Sequence, residues 1–185
     1  DGSSESIEIN EKALGGVALA DFNDDDKDDI IIATESNDMI CMINNSGQID
    51  TLFIAGDKFK TSPSVLDLNG EKIIVVGSYD NNFYAIDSNG DILFFVETFD
   101  NIVSSPSFVV DDSGVIIFFS SDDGYLYAVY QDGSALSGWP ILFDSPPGEA
   151  AFSDLDGDQI VEIIVGSGNK IHVLRLDGTI FDPDH

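Results

Sequence analysis

Two nine-residue segments place oxygen side chains at the same alternating positions. The first reads Asp21-Phe22-Asn23-Asp24-Asp25-Asp26-Lys27-Asp28-Asp29, and the second Asp154-Leu155-Asp156-Gly157-Asp158-Gln159-Ile160-Val161-Glu162. Positions one, three, five and nine offer Asp21, Asn23, Asp25 and Asp29 in one, and Asp154, Asp156, Asp158 and Glu162 in the other. Position seven, Lys27 or Ile160, can add its backbone carbonyl. Calcium takes six to eight hard oxygens at about 2.3–2.6 Å in a flexible cage. In a tight loop, alternate residues turn their carboxylates toward one centre, so the spacing predicts two Ca²⁺ sites. The second loop carries four carboxylates against three plus Asn23 in the first, and Gly157 eases its turn, so it is expected to bind more tightly. An Asp-rich chain will contain acidic loops by chance. Against that stands the repetition of all four ligand positions, each time between two apolar stretches.

Those stretches belong to a repeat. Polar-Gly pairs at Ser46-Gly47, Asn89-Gly90, Asp132-Gly133 and Asp177-Gly178 fall 43, 43 and 45 residues apart. A period in the low forties built from β-rich units is the signature of propeller blades. Before each pair lie three strand candidates: 17–20, 30–34 and 39–44 in the first unit, then 64–67, 72–77 and 83–87, then 107–110, 115–120 and 125–130, then 150–153, 162–166 and 170–176. Short Asn/Asp/Gly turns join the last two of each set, as hairpins require. A fourth strand follows the pair at 49–54 and 92–96, irregularly at 135–143, and only at 179–181 in the last unit.

The predicted fold is an all-β propeller of four blades, each four antiparallel strands. It forms one domain over 1–185 with blades at about 13–56, 60–99, 103–144 and 148–181, preceded by a strand over 5–10. The middle runs of Ile, Val and Phe would be buried on both faces between neighbouring blades. Three arrangements remain open. The leading strand closes a four-bladed ring, the chain is part of a larger propeller, or a homodimer joins two arcs into eight blades.

Units two and three lack the nine-residue loop. Asp67-Leu68-Asn69-Gly70-Glu71 and Asp111-Asp112-Ser113-Gly114 are too short to supply a ninth-position ligand and read as tight turns.

The segments 18–33 and 151–166 resemble FG-GAP/VCBS repeats, as found in the head propellers of integrin α subunits and in many secreted bacterial proteins. The resemblance implies calcium at Asp21, Asn23, Asp25 and Asp29 and at Asp154, Asp156, Asp158 and Glu162. It also implies secretion and a role in recognition or adhesion. The middle units, with Phe83-Tyr84-Ala85-Ile86-Asp87 and Leu126-Tyr127-Ala128-Val129 before their turns, look more like quinoprotein propeller repeats.

Composition narrows the partners. Thirty-five acids against seven bases give a net charge of −28. Nucleic acid and anionic membrane need cationic contacts to replace their counterions, so neither is an expected partner. No apolar run is long enough to cross a bilayer as a helix, so no membrane insertion is expected. The start shows no charged-then-apolar leader, so any secretion signal is expected to have been removed or to lie outside this sequence. The lone Cys41 sits in an alternating apolar run and reads as core. His172 and His185 form no constellation with a nucleophile, so no catalytic residue and no enzyme activity is expected of this chain. The leading expectation is a secreted, non-enzymatic calcium-binding propeller that recognises a protein or a carbohydrate. The alternative is a propeller piece or scaffold of a larger secreted enzyme, either a quinoprotein or a polysaccharide-degrading one.

Overall fold

The computed structural model describes residues 6–182. Fifteen strands follow in chain order: β1 (Ala18–Ala20), β2 (Asp29–Ala33), β3 (Met39–Ile43), β4 (Ile49–Ile54), β5 (Ser64–Leu68), β6 (Glu71–Gly77), β7 (Asn82–Ile86), β8 (Ile92–Glu97), β9 (Ser107–Asp111), β10 (Gly114–Ser120), β11 (Tyr125–Tyr130), β12 (Ile141–Leu142), β13 (Ala151–Ser153), β14 (Glu162–Ser167) and β15 (Lys170–Leu174). They form antiparallel meanders in the orders β1-β2-β3-β4, β5-β6-β7-β8, β9-β10-β11-β12 and β13-β14-β15. These are the four blades, each with its strands in sequence order.

The same backbone turn closes the third strand of every blade: the N–H of Gly47, Gly90, Gly133 and Gly178 donates to the carbonyl three residues back, at Asn44, Asp87, Tyr130 and Arg175. An Asx side chain steadies it from the first turn position in blades one and two and from the third in blades three and four. Asn44, Asp87, Asp132 and Asp177 each accept, through a side-chain oxygen, the backbone N–H two residues on. Gly47, Gly90, Gly133 and Gly178 then take φ of 80–87°, a left-handed value that costs glycine least. The chain is thereby turned back to lay down the outer strand.

The second and third strands are apolar on both faces, and each face packs against a different neighbour. Ile31, Ala33 and Ile40 of blade one meet Ile74, Val76, Tyr84 and Ile86 of blade two. Ile73, Val75, Phe83 and Ala85 of blade two meet Ile117, Phe119, Tyr127 and Val129 of blade three. Ile116, Phe118, Leu126 and Ala128 of blade three meet Ile163, Val165 and Leu174 of blade four. Aromatic stacks reinforce the second seam, with Phe83 and Phe119 rings 4.0 Å apart and 3° from parallel. Trp139 is buried at the third seam, where its indole N–H donates to the Leu176 carbonyl at 2.8 Å.

Two ends differ from the regular blade. In blade three the outer strand is reduced to β12 plus a single bridge from Ala135 to Val129. In blade four, residues at 179–181 reach the outer position through the Leu174–Ile180 bridge, the Arg175 N–H to Thr179 carbonyl bond and the Phe181 N–H to Val173 carbonyl bond, without forming a full strand. The strand expected over 5–10 is not formed over 6–10, and residue 5 lies outside the described residues. Ile9 instead lies on the face of blade one, packed with Ile32, Cys41 and Ile43. The following residues fasten this strap, through the Lys12–Glu35 ion pair, the Asn37 amide donating to Glu11, and the Ala13–Thr34 bridge.

Candidate metal centre

Both nine-residue loops join the first strand of a blade to its second. β1 pairs with β2 through Ala20 and Asp29, and β13 pairs with β14 through Ser153 and Glu162. The ninth-position carboxylates therefore begin a buried strand. Asp29 is wholly buried and Glu162 is 2% exposed. A buried carboxylate is costly without compensating partners.

In the fourth blade, Asp154, Asp156 and Glu162 each bring a carboxylate oxygen within 4.8 Å of the others. Oxygens bound to one calcium at about 2.3–2.6 Å can be at most about 5 Å apart, so the trio has the dimensions of a Ca²⁺ shell. Glu162 also accepts the Leu155 N–H at 2.8 Å, which fixes its carboxylate against the loop. Asp154 accepts from the Gly157 and Gln159 amides, and Asp156 from the Asp158 amide. Asp158 is not in the trio; its side chain accepts the Ile160 N–H at 2.7 Å. Gly157 takes φ of 85° and Gln159 of 72°, so the loop is wound tightly enough to alternate its side chains.

The first loop is drawn together differently. Asp29 accepts from the Phe22 N–H at 3.0 Å and from the Asn23 amide at 3.3 Å. Asp21 accepts the amides of Asp25 and Asp26, and Asn23 the amide of Asp25. Asp25 accepts the Lys27 N–H with one oxygen, and with the other the Asn45 side chain at 2.6 Å, from the turn after β3. Asp24 and Asp26 bend the loop with φ of 57° and 63°, the cost of lacking a glycine there. Asn45 was not singled out by spacing because it comes from a different turn.

Each loop borders a groove, the first of them shared with blade two. Asp21, Asp24, Lys72, Asp87 and Leu93 line about 330 Å³ beside the first. Lys72 is held protonated above its ordinary range by its hydrogen bond to Asp67, with Asp21 and Asp24 adding to the pull. Asp158, Glu162, Arg175 and Asp177 line about 280 Å³ beside the second. His172 packs its ring on Phe143 at 4.9 Å, and His185 lies outside the described residues.

A meander of repeated blades carrying acidic loops between first and second strands defines a β-propeller domain. Residues 10–105 match the model of the lambda-carrageenase β-propeller domain, and the chain belongs to that family. A lambda-carrageenase from Pseudoalteromonas sp. is 32% identical over 80 residues, which is 43% of this chain and 8% of that protein. The chain thus spans a small fraction of the relative's length. The fold also superposes on the WD40 propeller domain of Doa1, with TM-score 0.65 and 10% identity over 94% of this chain and 54% of that one. A computationally designed protein, Ika4, matches with TM-score 0.62 and 11% identity over 94% of this chain and 99% of that one.

Proposed function

We propose that this chain is a calcium-stiffened, non-catalytic propeller module of a secreted protein that acts on polysaccharide. The observation that carries the calcium reading is the convergence of Asp154, Asp156 and Glu162 within 4.8 Å, with Glu162 almost wholly buried. A bound Ca²⁺ would neutralise the buried carboxylate and pin the β13–β14 loop to the strand it precedes. In the first blade, Asp21, Asn23, Asp25 and Asp29, with the Lys27 carbonyl, would take the ion by turning Asp25 away from Asn45. In the fourth blade, Asp158, turned from the Ile160 N–H, and the Ile160 carbonyl would join Asp154, Asp156 and Glu162 on the ion. The loop spacing is that of FG-GAP/VCBS repeats, which supports the same assignment.

The polysaccharide reading rests on the family, since the curated relative is a lambda-carrageenase. The chain would contribute recognition or support, and the chemistry would reside elsewhere in a longer protein. Thermal melts in calcium and in chelator test the first part: a higher midpoint in calcium supports it, and equal midpoints overturn it. Affinity electrophoresis through gels cast with lambda-carrageenan tests the second. Retarded migration supports recognition, and unchanged migration overturns it.

A further inference from the structure

The few bases of this acidic chain are not spread evenly. Each blade is a meander, so the acidic loops between first and second strands lie at one end of the propeller. The second-to-third hairpins and the connections between blades lie at the other. Lys12, Lys58 and Lys60 gather at that second end. Glu35 pairs with Lys12 and, at 3.8 Å, with Lys60, while Lys58 reaches Asp57 at 3.5 Å. The Lys12 hydrogen bond holds the Glu35 carboxyl below its ordinary range, and Lys60 and Lys58 add to the pull against some burial. Three ammonium groups thus pair with two carboxylates, whereas Lys72 with Asp67 and Lys170 with Asp144 pair one to one. Lys58 and Lys60 also share a ring, their Nζ atoms 5.1 and 4.9 Å from the Tyr79 centroid. The Tyr79 N–H donates to the Lys58 carbonyl at 3.0 Å. The ring holds two flexible side chains in one place while each stays partly exposed, which reduces the entropy lost when they bind.

The same surface continues onto the connection from blade two to blade three. The Thr98 N–H donates to the Asn81 carbonyl at 2.8 Å and the Ile102 N–H to the Ser78 carbonyl at 3.2 Å, so residues 98–102 run beside the hairpin that carries Tyr79. Phe99 projects from this segment with 86% exposure, the highest of the large apolar side chains among the described residues. Its backbone is fixed, because its N–H donates to Asp123 at 3.0 Å. The matching N–H one blade earlier belongs to Gly56, so the turn itself does not call for a ring here. A ring held by its backbone and left outside the core is a flat apolar platform, the shape on which the C–H face of a sugar stacks. The exposed Asp122 carboxylate and the Asn101 amide lie beside it, tied by the Asp122 N–H to Asn101 carbonyl bond at 2.8 Å, and can meet sugar hydroxyls.

We propose that this end of the propeller binds an anionic polysaccharide, with an acidic substituent at Lys58 and Lys60 and a neighbouring sugar ring laid on Phe99. The proposal rests on the polysaccharide reading above and gives it a place, at the opposite end from the calcium loops. A net charge of −28 repels such a polymer from most of the surface, so the lysine cluster decides where it can land.

Affinity electrophoresis of the 185-residue chain at one ionic strength tests this, in uncharged agarose gels with and without the anionic polymer lambda-carrageenan. The unaltered chain should be retarded only where the anionic polymer is present. The Lys58→Gln, Lys60→Gln double variant, folded by circular dichroism, should lose most of that retardation, and Phe99→Ala should lose part of it. A control double variant, Lys72→Gln with Lys170→Gln, changes the net charge equally and should keep it. Equal loss in the two double variants would show net charge alone at work and overturn the site. So would retardation that the Lys58→Gln, Lys60→Gln variant or Phe99→Ala leaves unchanged. Equal retardation in agarose alone would overturn the anionic class of ligand. An unaltered chain that neither gel retards would instead overturn the polysaccharide reading itself, and the site with it.

Discussion

The Tyr84 hydroxyl donates to the Asp80 carboxylate at 2.7 Å, and one blade later Tyr127 donates to Asp123 at the same distance. Each carboxylate also ties the previous blade's connection. Asp80 accepts the Gly56 N–H at 2.8 Å, and Asp123 the Phe99 N–H at 3.0 Å. The pair is a repeated clamp across a blade boundary, set in the hairpin between second and third strands. Removing one hydroxyl, as in Tyr84→Phe, should cost about 1 kcal/mol, whereas Asp80→Ala strands the Gly56 N–H, the Tyr84 hydroxyl and the Asn82 backbone and side-chain N–H groups and should cost about 1–3 kcal/mol or more. Urea midpoints of the two variants check that order.

The same clamp gives an alkaline signature. Burial first, and then the hydrogen bond to Asp80 or Asp123, push the Tyr84 and Tyr127 phenols above their ordinary value of 10. A raised folded-state pKa contributes stability that is present below the unfolded value and lost as pH rises through the folded one. Stability should therefore fall above about pH 10, and the Tyr84→Phe, Tyr127→Phe double variant should fall less steeply. Melting midpoints between neutral pH and the alkaline limit measure it.

On the acid side, the blade turns act. Hydroxyl hydrogen bonds from Ser134 and Thr179, then backbone N–H groups, hold Asp132 and Asp177 below the usual carboxylate range. At Asp87 burial pushes upward, but the amides of Asp91, Asn89 and Gly90 outweigh it. A lowered folded-state pKa contributes stability that is present above the unfolded value, 3.8 for these groups, and lost as pH falls through the folded one. Blade one makes the same turn with Asn44, which does not titrate. Replacing Asp87, Asp132 and Asp177 by Asn should flatten the loss of stability below about pH 4, read as the melting midpoint against pH.

Gly77 is small because Ile102 fills its place. A Cβ at Gly77 would lie 2.2 Å from the Ile102 Cγ2, and Ile102 is fully buried. Gly77→Ala should cost about 1–3 kcal/mol through overpacking. Combined with Ile102→Ala, which removes the Cγ2 that the new Cβ would meet, the double variant should cost less than the sum of the two singles. A denaturant double-mutant cycle gives that coupling.

The blades were legible because the signals of each level agreed. The polar-Gly turns repeat at 43 to 45 residues, and runs such as 73–76 are apolar on both faces, which only a stacked sheet can bury. The segment at 5–10 misled because alternation describes a residue's two faces and not the edge it must pair with; Ile9 found a face to cover before any edge. The nine-residue loops were legible as the connections between first and second strands, but the directions of their side chains were not. Spacing puts Asp158 and Asp25 in the ligand set, while side-chain torsions turn Asp158 to the Ile160 amide and Asp25 to Asn45. Such choices lie in rotamers and cross-turn contacts that no periodicity encodes.

The calcium reading is tested most directly by titrating Ca²⁺ into the chelator-treated chain by calorimetry, beside Glu162→Gln. Two binding events are predicted for the unaltered chain, the tighter one lost in Glu162→Gln. At a hundredfold excess over Kd each site should add about 2.7 kcal/mol of stability. The absence of binding heat, together with a melting midpoint that calcium does not move, would contradict the account. So would a Glu162→Gln variant that binds as the unaltered chain does.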